Sequence, residues 1–232
     1  MTVKSHFFPL HLLARSAMQR AGVKGRRPKL FFIGFNKTGT KTLHNFFCDN
    51  GYLSVHSSSY MAQRLKLPPI AKLMQANHEA GLPLLHHLDH YDVFSDMIFL
   101  SNTEVIEGNG WFRELHAQHP DAYFIFNDRP VEKWVLSRLS HDGGPRGSFV
   151  ARYASAMKID ESQAPDLWRA HYARHKAEVM AHFEAYPRFM IFQIESGKPQ
   201  DLVRFLAPDY RLDASFWSLS GSRAQRHRNM RS

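Results

Sequence analysis

Apolar residues in this chain come in two rhythms. Short runs, Leu30 to Ile33, Tyr123 to Phe126 and Phe189 to Ile194, are dense in β-branched and aromatic residues, as strands buried on both faces are. Between them the apolar positions move to a helical period. Leu43, Phe46 and Phe47 follow the first run, Trp134 and Val135 the second, and Trp168, Tyr172, His175, Val179 and Phe183 mark a longer amphipathic stripe. Leu202, Val203, Phe205 and Leu206 give a short helix at 201–206. The segment 57–82 reads as helical, with Met61, Leu65, Ile70, Leu73, Met74 and Ala80 on an apolar face broken by Pro68-Pro69. The predicted strands lie near 30–34, 83–88, 122–127 and 189–194. Their alternation with helices predicts an α/β domain: three layers, a central parallel sheet flanked by helices, and ligand loops at the strand C-termini.

The first strand carries the chemistry. Its apolar run stops at Gly34, and a loop of glycine, lysine and hydroxyl residues follows: Asn36-Lys37-Thr38-Gly39-Thr40-Lys41-Thr42. A strand, then such a loop, then a helix is an anion-binding arrangement. The helix N-terminus offers unpaired N–H groups and the positive end of a dipole, and the side chains add charge and hydroxyl donors. A Walker A loop would place lysine directly after its second glycine. Here Thr40 follows Gly39, and the lysine that fits precedes it as Lys37.

That order resembles the 5′-phosphosulfate loop of the sulfotransferases, P-K-[ST]-G-T-[TS]-[WSL], and the longer Phe32 to His44 stretch is similar to a bacterial branch of that superfamily. A second segment extends the resemblance. Arg129 ends the strand at 122–127, and Ser137 follows eight residues later with Trp134 between them, although the family's usual R-D-P order here reads Asp128-Arg129-Pro130. The resemblance implies a P-loop-like fold and a sulfuryl transfer from 3′-phosphoadenylyl sulfate (PAPS) to a hydroxyl or amine. It also implies site roles. Asn36 to Thr42 would hold the 5′-phosphate, with Lys37 catalytic; Arg129 and Ser137 would hold the 3′-phosphate; no metal is required. Asp96 resembles the aspartate of an F-x-D-x-P-F motif in the bacterial relatives, with Ile98 in place of proline, and is the first candidate for general base. Glu104, His86 and His87 stand behind it.

Charge sharpens this picture. Residues 1–48 hold nine Lys/Arg and no acid, and four arginines follow Asp213 without an acid, so the net +9 resides at the two ends. The organisation expected is a basic extension at 1–27, an α/β domain at 28–213, and a basic tail at 214–232; by the sulfotransferase resemblance, in which a late basic loop folds over the nucleotide, Arg223 to Arg228 could close over it. No recognition-helix or zinc-finger pattern accompanies the basicity, so nucleic acid is not an expected partner. A small-molecule, carbohydrate or lipid acceptor is. The single cysteine, Cys48, cannot form an internal disulfide, and no apolar run approaches the ~18 residues that span a bilayer. Both fit a cytoplasmic enzyme. His171 and His175 are spaced as in H-E-x-x-H, but Tyr172 stands where the glutamate would be, which argues against a zinc protease. A P-loop kinase and a non-catalytic anion-binding module are the alternatives. The displaced lysine and the lack of a clear magnesium-binding carboxylate weigh against the kinase.

Overall fold

A computed structural model describes residues 27–57, 68–142, 144 and 147–218. In chain order the elements are β1 (Leu30–Phe32), α1 (Thr40–Asp49), β2 (Ser54–His56), α2 (Ile70–Glu79), β3 (Val93–Ser95), β4 (Ile98–Leu100), β5 (Val105–Glu107), α3 (Phe112–Gln118), β6 (Tyr123–Asp128), α4 (Val131–Leu139), α5 (Phe149–Met157), α6 (Ala164–His182), β7 (Phe189–Gln193) and α7 (Pro199–Leu206). Five strands form one sheet in the order β2-β3-β1-β6-β7, every neighbouring pair parallel.

The alternation of side chains along β1 builds the layers. Leu30 and Phe32 point to one face, where they cluster with Leu43, Phe46 and Phe47 of α1 and with Leu202 and Leu206 of α7. Phe31 and Ile33 point to the other, packed with Trp134 of α4 and with Trp168, Tyr172 and Val179 of α6. All of β1 is fully buried, as the middle strand of a sheet covered on both sides must be. The expected three-layer α/β architecture is the one observed.

The strand order sets where a crevice opens in the sheet. β1 and β6 are neighbours, yet the chain leaves β1 toward β2 on one side of the sheet and leaves β6 toward β7 on the other. Adjacent strands whose connections diverge in this way open a crevice at their C-terminal ends. Gly34 to Gly39 and Asp128 to Pro130 are the two loops at that crevice.

Two expectations change. No strand forms at 83–88: the segment is a series of turns, with bonds from His86 N–H to Pro83 O and from Leu88 N–H to Leu85 O. Leu84, Leu85 and Leu88 are buried, but their spacing is that of a turn of helix rather than an alternating strand. The strand lies further on, at Val93–Ser95, and a further three-residue strand at Ser54–His56 has no sequence signature because Ser-Val-His carries one apolar residue. The helix expected over 57–82 is described only as Ile70–Glu79, starting after Pro69, which holds the N-cap position. Residues 58–67 lie outside the described residues, as do most of the basic extension and the segment Arg223 to Arg228. Among the described residues no helix is long and apolar enough to cross a membrane.

Candidate active site

The loop after β1 is held from below by side chains of β6 and α4, of which Trp134 alone is marked by the sequence motif. Asn127, fully buried at the end of β6, accepts from the Gly34 N–H at 2.9 Å and donates to Thr38 Oγ1 at 2.6 Å. A Cβ at Gly34 would sit 2.3 Å from the Asn127 carbonyl oxygen, so only glycine admits this approach. Thr38 Oγ1 donates in turn to the Phe35 carbonyl. Trp134 Nε1 donates to the Asn36 carbonyl at 2.8 Å, and Arg138 grips Asn36 Oδ1 through Nε and Nη2 at 3.0 and 2.7 Å. Arg138 is fully buried beneath the loop. It stacks on Trp134, with Phe149 and Trp168 beyond, and is ion-paired to Glu107 at 3.2 Å.

Those clamps fix an unusual backbone. Lys37 has φ +65° and Gly39 has φ +75°, two left-handed residues within three that turn the chain into α1. Gly39 stands at the N-cap and has no side chain to cap with, so the helix's first N–H groups meet the loop and the crevice. Gly39 also lies against Ile194, where a Cβ would approach to 2.1 Å.

A cleft of about 670 Å³ opens beside the loop. Asn36, Lys37, Gly39, Thr40 and Lys41 line one side, and Asp96, His56 and Ser137 line it further along. Among the described residues the Lys37 and Lys41 ammonium groups make no hydrogen bond or ion pair. Burial holds the Lys37 amine below its ordinary range; the nearby Asp96 carboxylate works against that shift and the Arg129 cation adds to it. Thr40 Oγ1 lies 3.0 Å from His56 Nε2, and Asp96 Oδ2 lies 3.5 Å from the same nitrogen. Asp96 Oδ1 is buried with no hydrogen-bond partner among the described residues. Burial raises the Asp96 carboxyl pKa; His56, Arg138, Lys37 and His141 pull the other way. Asp96 also adopts φ +54°. Aspartate adopts a left-handed backbone more readily than most residues, so the unmet Oδ1 is what sets this carboxyl apart.

The remaining expected site residues divide. Thr38 and Thr42 are buried, and neither lines the cleft. Arg129 lies outside it, lining a neighbouring hollow, with Nη1 donating to the Lys37 carbonyl at 3.1 Å and Nε to Glu195 at 2.9 Å. Asp128 beside it is a structural anchor. Burial would raise its pKa, but hydrogen bonds from Lys176, Tyr172 and Gln193 outweigh that and hold it low. His86 and His87 do not line the cleft, and Glu104 is ion-paired with Lys72. His175 is buried on the α6 stripe with Nε2 against the Ile33 carbonyl at 2.8 Å, and His171 pairs with Glu107 at 3.2 Å, so both histidines serve the core under the loop. No group of three or more metal-ligating side chains occurs among the described residues.

A strand-ending loop at the sheet's divergence point, a lysine with no hydrogen-bond partner among the described residues, and the half-buried Asp96 carboxyl share this cleft. A family model described as a sulfotransferase domain matches residues 29–156, more than half of the chain, from just before β1 to the end of α5. The chain belongs to the sulfotransferase family. Its class of chemistry is the transfer of sulfuryl groups. No curated protein matches the chain.

Proposed function

We propose that the protein takes the sulfuryl group of PAPS and passes it to a hydroxyl or amine on a small-molecule, carbohydrate or lipid acceptor. One observation carries this reading: the Lys37 ammonium, without a hydrogen-bond partner among the described residues, and the uncapped start of α1 share a cleft with the half-buried Asp96, whose Oδ1 is likewise unmet among those residues. The donor set fits such a nucleotide. Backbone N–H groups at a helix start suit a 5′-phosphosulfate, and Arg129 keeps Nη2 without a hydrogen bond among the described residues.

In the reaction the acceptor oxygen or nitrogen forms a bond to sulfur as the sulfate–phosphate S–O bond breaks. The electron pair leaves on the 5′-phosphate of 3′,5′-ADP, and the acceptor's proton leaves on a base. Lys37 neutralises charge growing on the departing oxygen. Asn36, Gly39, Thr40 and Lys41 bind and orient the phosphate from the cleft side, while Thr38 and Thr42 act from within the loop and α1. Asp96 takes the acceptor proton, with His56 beside it to share or relay the charge. Preorganised charge of this kind, aimed at where charge develops, supplies more of the rate enhancement than any other single effect in most such enzymes. Arg129 and Ser137 hold the 3′-phosphate. Ile98, Phe99, Leu100 and Phe149 form an apolar wall along the same cleft, which favours an acceptor whose hydroxyl sits on an apolar body.

Comparing 3′,5′-ADP with ATP–Mg²⁺ as stabilisers of the folded chain tests the donor. A ligand that binds only the native state raises the melting temperature by mass action. The expected outcome is a rise with 3′,5′-ADP that Arg129→Ala abolishes. A rise with ATP–Mg²⁺ alone would turn the reading to a kinase.

Asp96→Asn is expected to separate activity from stability. A carboxyl whose folded pKa is raised contributes stability fully only below its unfolded value, near 3.8, and that contribution is lost as pH rises through the folded value. Near neutral pH the fold therefore lacks that contribution. The asparagine variant, which tolerates a left-handed backbone well, should melt higher than the parent near neutral pH, with the gain vanishing as pH falls toward 4. Turnover should drop on the order of 10²-fold or more. Equal melting temperatures at all pH values, with full activity, would remove Asp96 from the mechanism.

A further inference from the structure

Arg129, Lys133 and Ser137 recur at every fourth residue. Lys133 and Ser137 share one face of α4, and Arg129 lies just ahead of its first turn. The sulfotransferase resemblance names the outer two and passes over the middle one. In the folded chain the two cations of this row converge on a single anion. Glu195, two residues beyond β7, presents Oε1 to Arg129 Nε at 2.9 Å and Oε2 to Lys133 Nζ at 2.5 Å. The other acid at this corner, Asp128, is already saturated by Lys176, Tyr172 and Gln193.

We propose that Lys133 is a third arm of the 3′-phosphate subsite, and that the Glu195 carboxylate occupies this subsite until nucleotide displaces it. The inference rests on the PAPS reading of the site. A carboxylate offers two oxygens to Arg129 and Lys133 where a phosphate offers three, with more charge, so the exchange favours phosphate at both cations. It is also an easy exchange, because the Glu195 pairs lie near the surface, Lys133 being 61% exposed, and such pairs contribute little stability. Glu195 then competes with the nucleotide rather than supporting it. Freed from Glu195, Arg129 keeps its Nη1 bond to the Lys37 carbonyl, which ties phosphate binding to the geometry of the donor loop.

Two nucleotides that differ only in the 3′-phosphate isolate the effect. Titration calorimetry of the full chain with 3′,5′-ADP and with 5′-AMP, at low ionic strength, is expected to show the bisphosphate binding more tightly. Lys133→Ala should weaken 3′,5′-ADP about tenfold while leaving 5′-AMP within about twofold. Glu195→Gln should tighten 3′,5′-ADP several-fold, with the gain shrinking as salt is added. If Lys133→Ala weakens both nucleotides equally, or neither, Lys133 is not in the subsite. If Glu195→Gln leaves 3′,5′-ADP unchanged, Glu195 does not compete. A parent protein that binds the two nucleotides alike would overturn the PAPS reading and the subsite with it, a failure distinct from the other two.

Discussion

Lys37→Ala is expected to lower the turnover number by about 10²- to 10³-fold, the loss seen when one preorganised stabiliser of developing charge is removed. The unfolding midpoint should move little. Lys37 donates no side-chain hydrogen bond among the described residues, its only contact of consequence being electrostatic, and the left-handed backbone at φ +65° is no more costly for alanine than for lysine. Removing a partly buried cation also removes its desolvation cost. A second signature follows from the direction of its titration. The proposed reaction uses the ammonium form, and burial lowers the Lys37 pKa, so activity should fall on the alkaline side as pH rises through a value below 10.5. Steady-state kinetics across pH, paired with thermal unfolding of the variant, checks both. A variant that keeps its rate would take Lys37 out of the reaction; one that unfolds would make it structural.

The loop after β1 stands out in the sequence because its chemistry is local. A loop that receives an anion on a helix start must place glycine, lysine and hydroxyl residues within a few positions, and Gly34 to Thr42 does so in order. The three-layer fold was legible for the same reason, since β1, β6 and β7 are dense apolar runs. What escaped was non-local. Asn127 reads as the polar end of a strand, yet it meets Gly34 and Thr38 ninety-three and eighty-nine positions away. His56 belongs to a strand too short to announce itself, and it reaches Asp96 only because β2 and β3 pair in register, His56 opposite Ser95. The false strand at 83–88 failed for a related reason. Buried leucines state that a segment faces the core, and the backbone of this one satisfies itself in turns, aided by Asn77 donating to the Leu84 and His86 carbonyls.

Arg138 shows how much of the site lies beneath the loop, and its removal is expected to produce the largest loss of stability. On sequence it is one more basic residue late in a helix. In the fold its guanidinium is completely buried, bonded twice to Asn36 and once to Glu107, and enclosed by Trp134, Phe149, Trp168 and Phe35. One of its nitrogens, Nη1, finds no partner among the described residues, so the cation is held by its surroundings more than it is satisfied by them. Arg138→Leu fills similar volume but leaves the Glu107 carboxylate with His171 alone and leaves Asn36 Oδ1 without its donors. Removing one partner of a buried ion pair costs about 3–5 kcal/mol, which urea denaturation would read as a shift of the midpoint at unchanged slope. Nucleotide affinity should fall as well, because the Asn36 side chain would lose the bonds that hold it and only the Trp134 bond to its carbonyl would remain. Arg138→Lys keeps the charge but not the two-pronged grip on Asn36, so it should recover part of the stability and less of the binding. If both variants were as stable as the parent, the guanidinium would be tolerated beneath the loop rather than required there, and the loop's shape would have to rest on Asn127 and Trp134 alone.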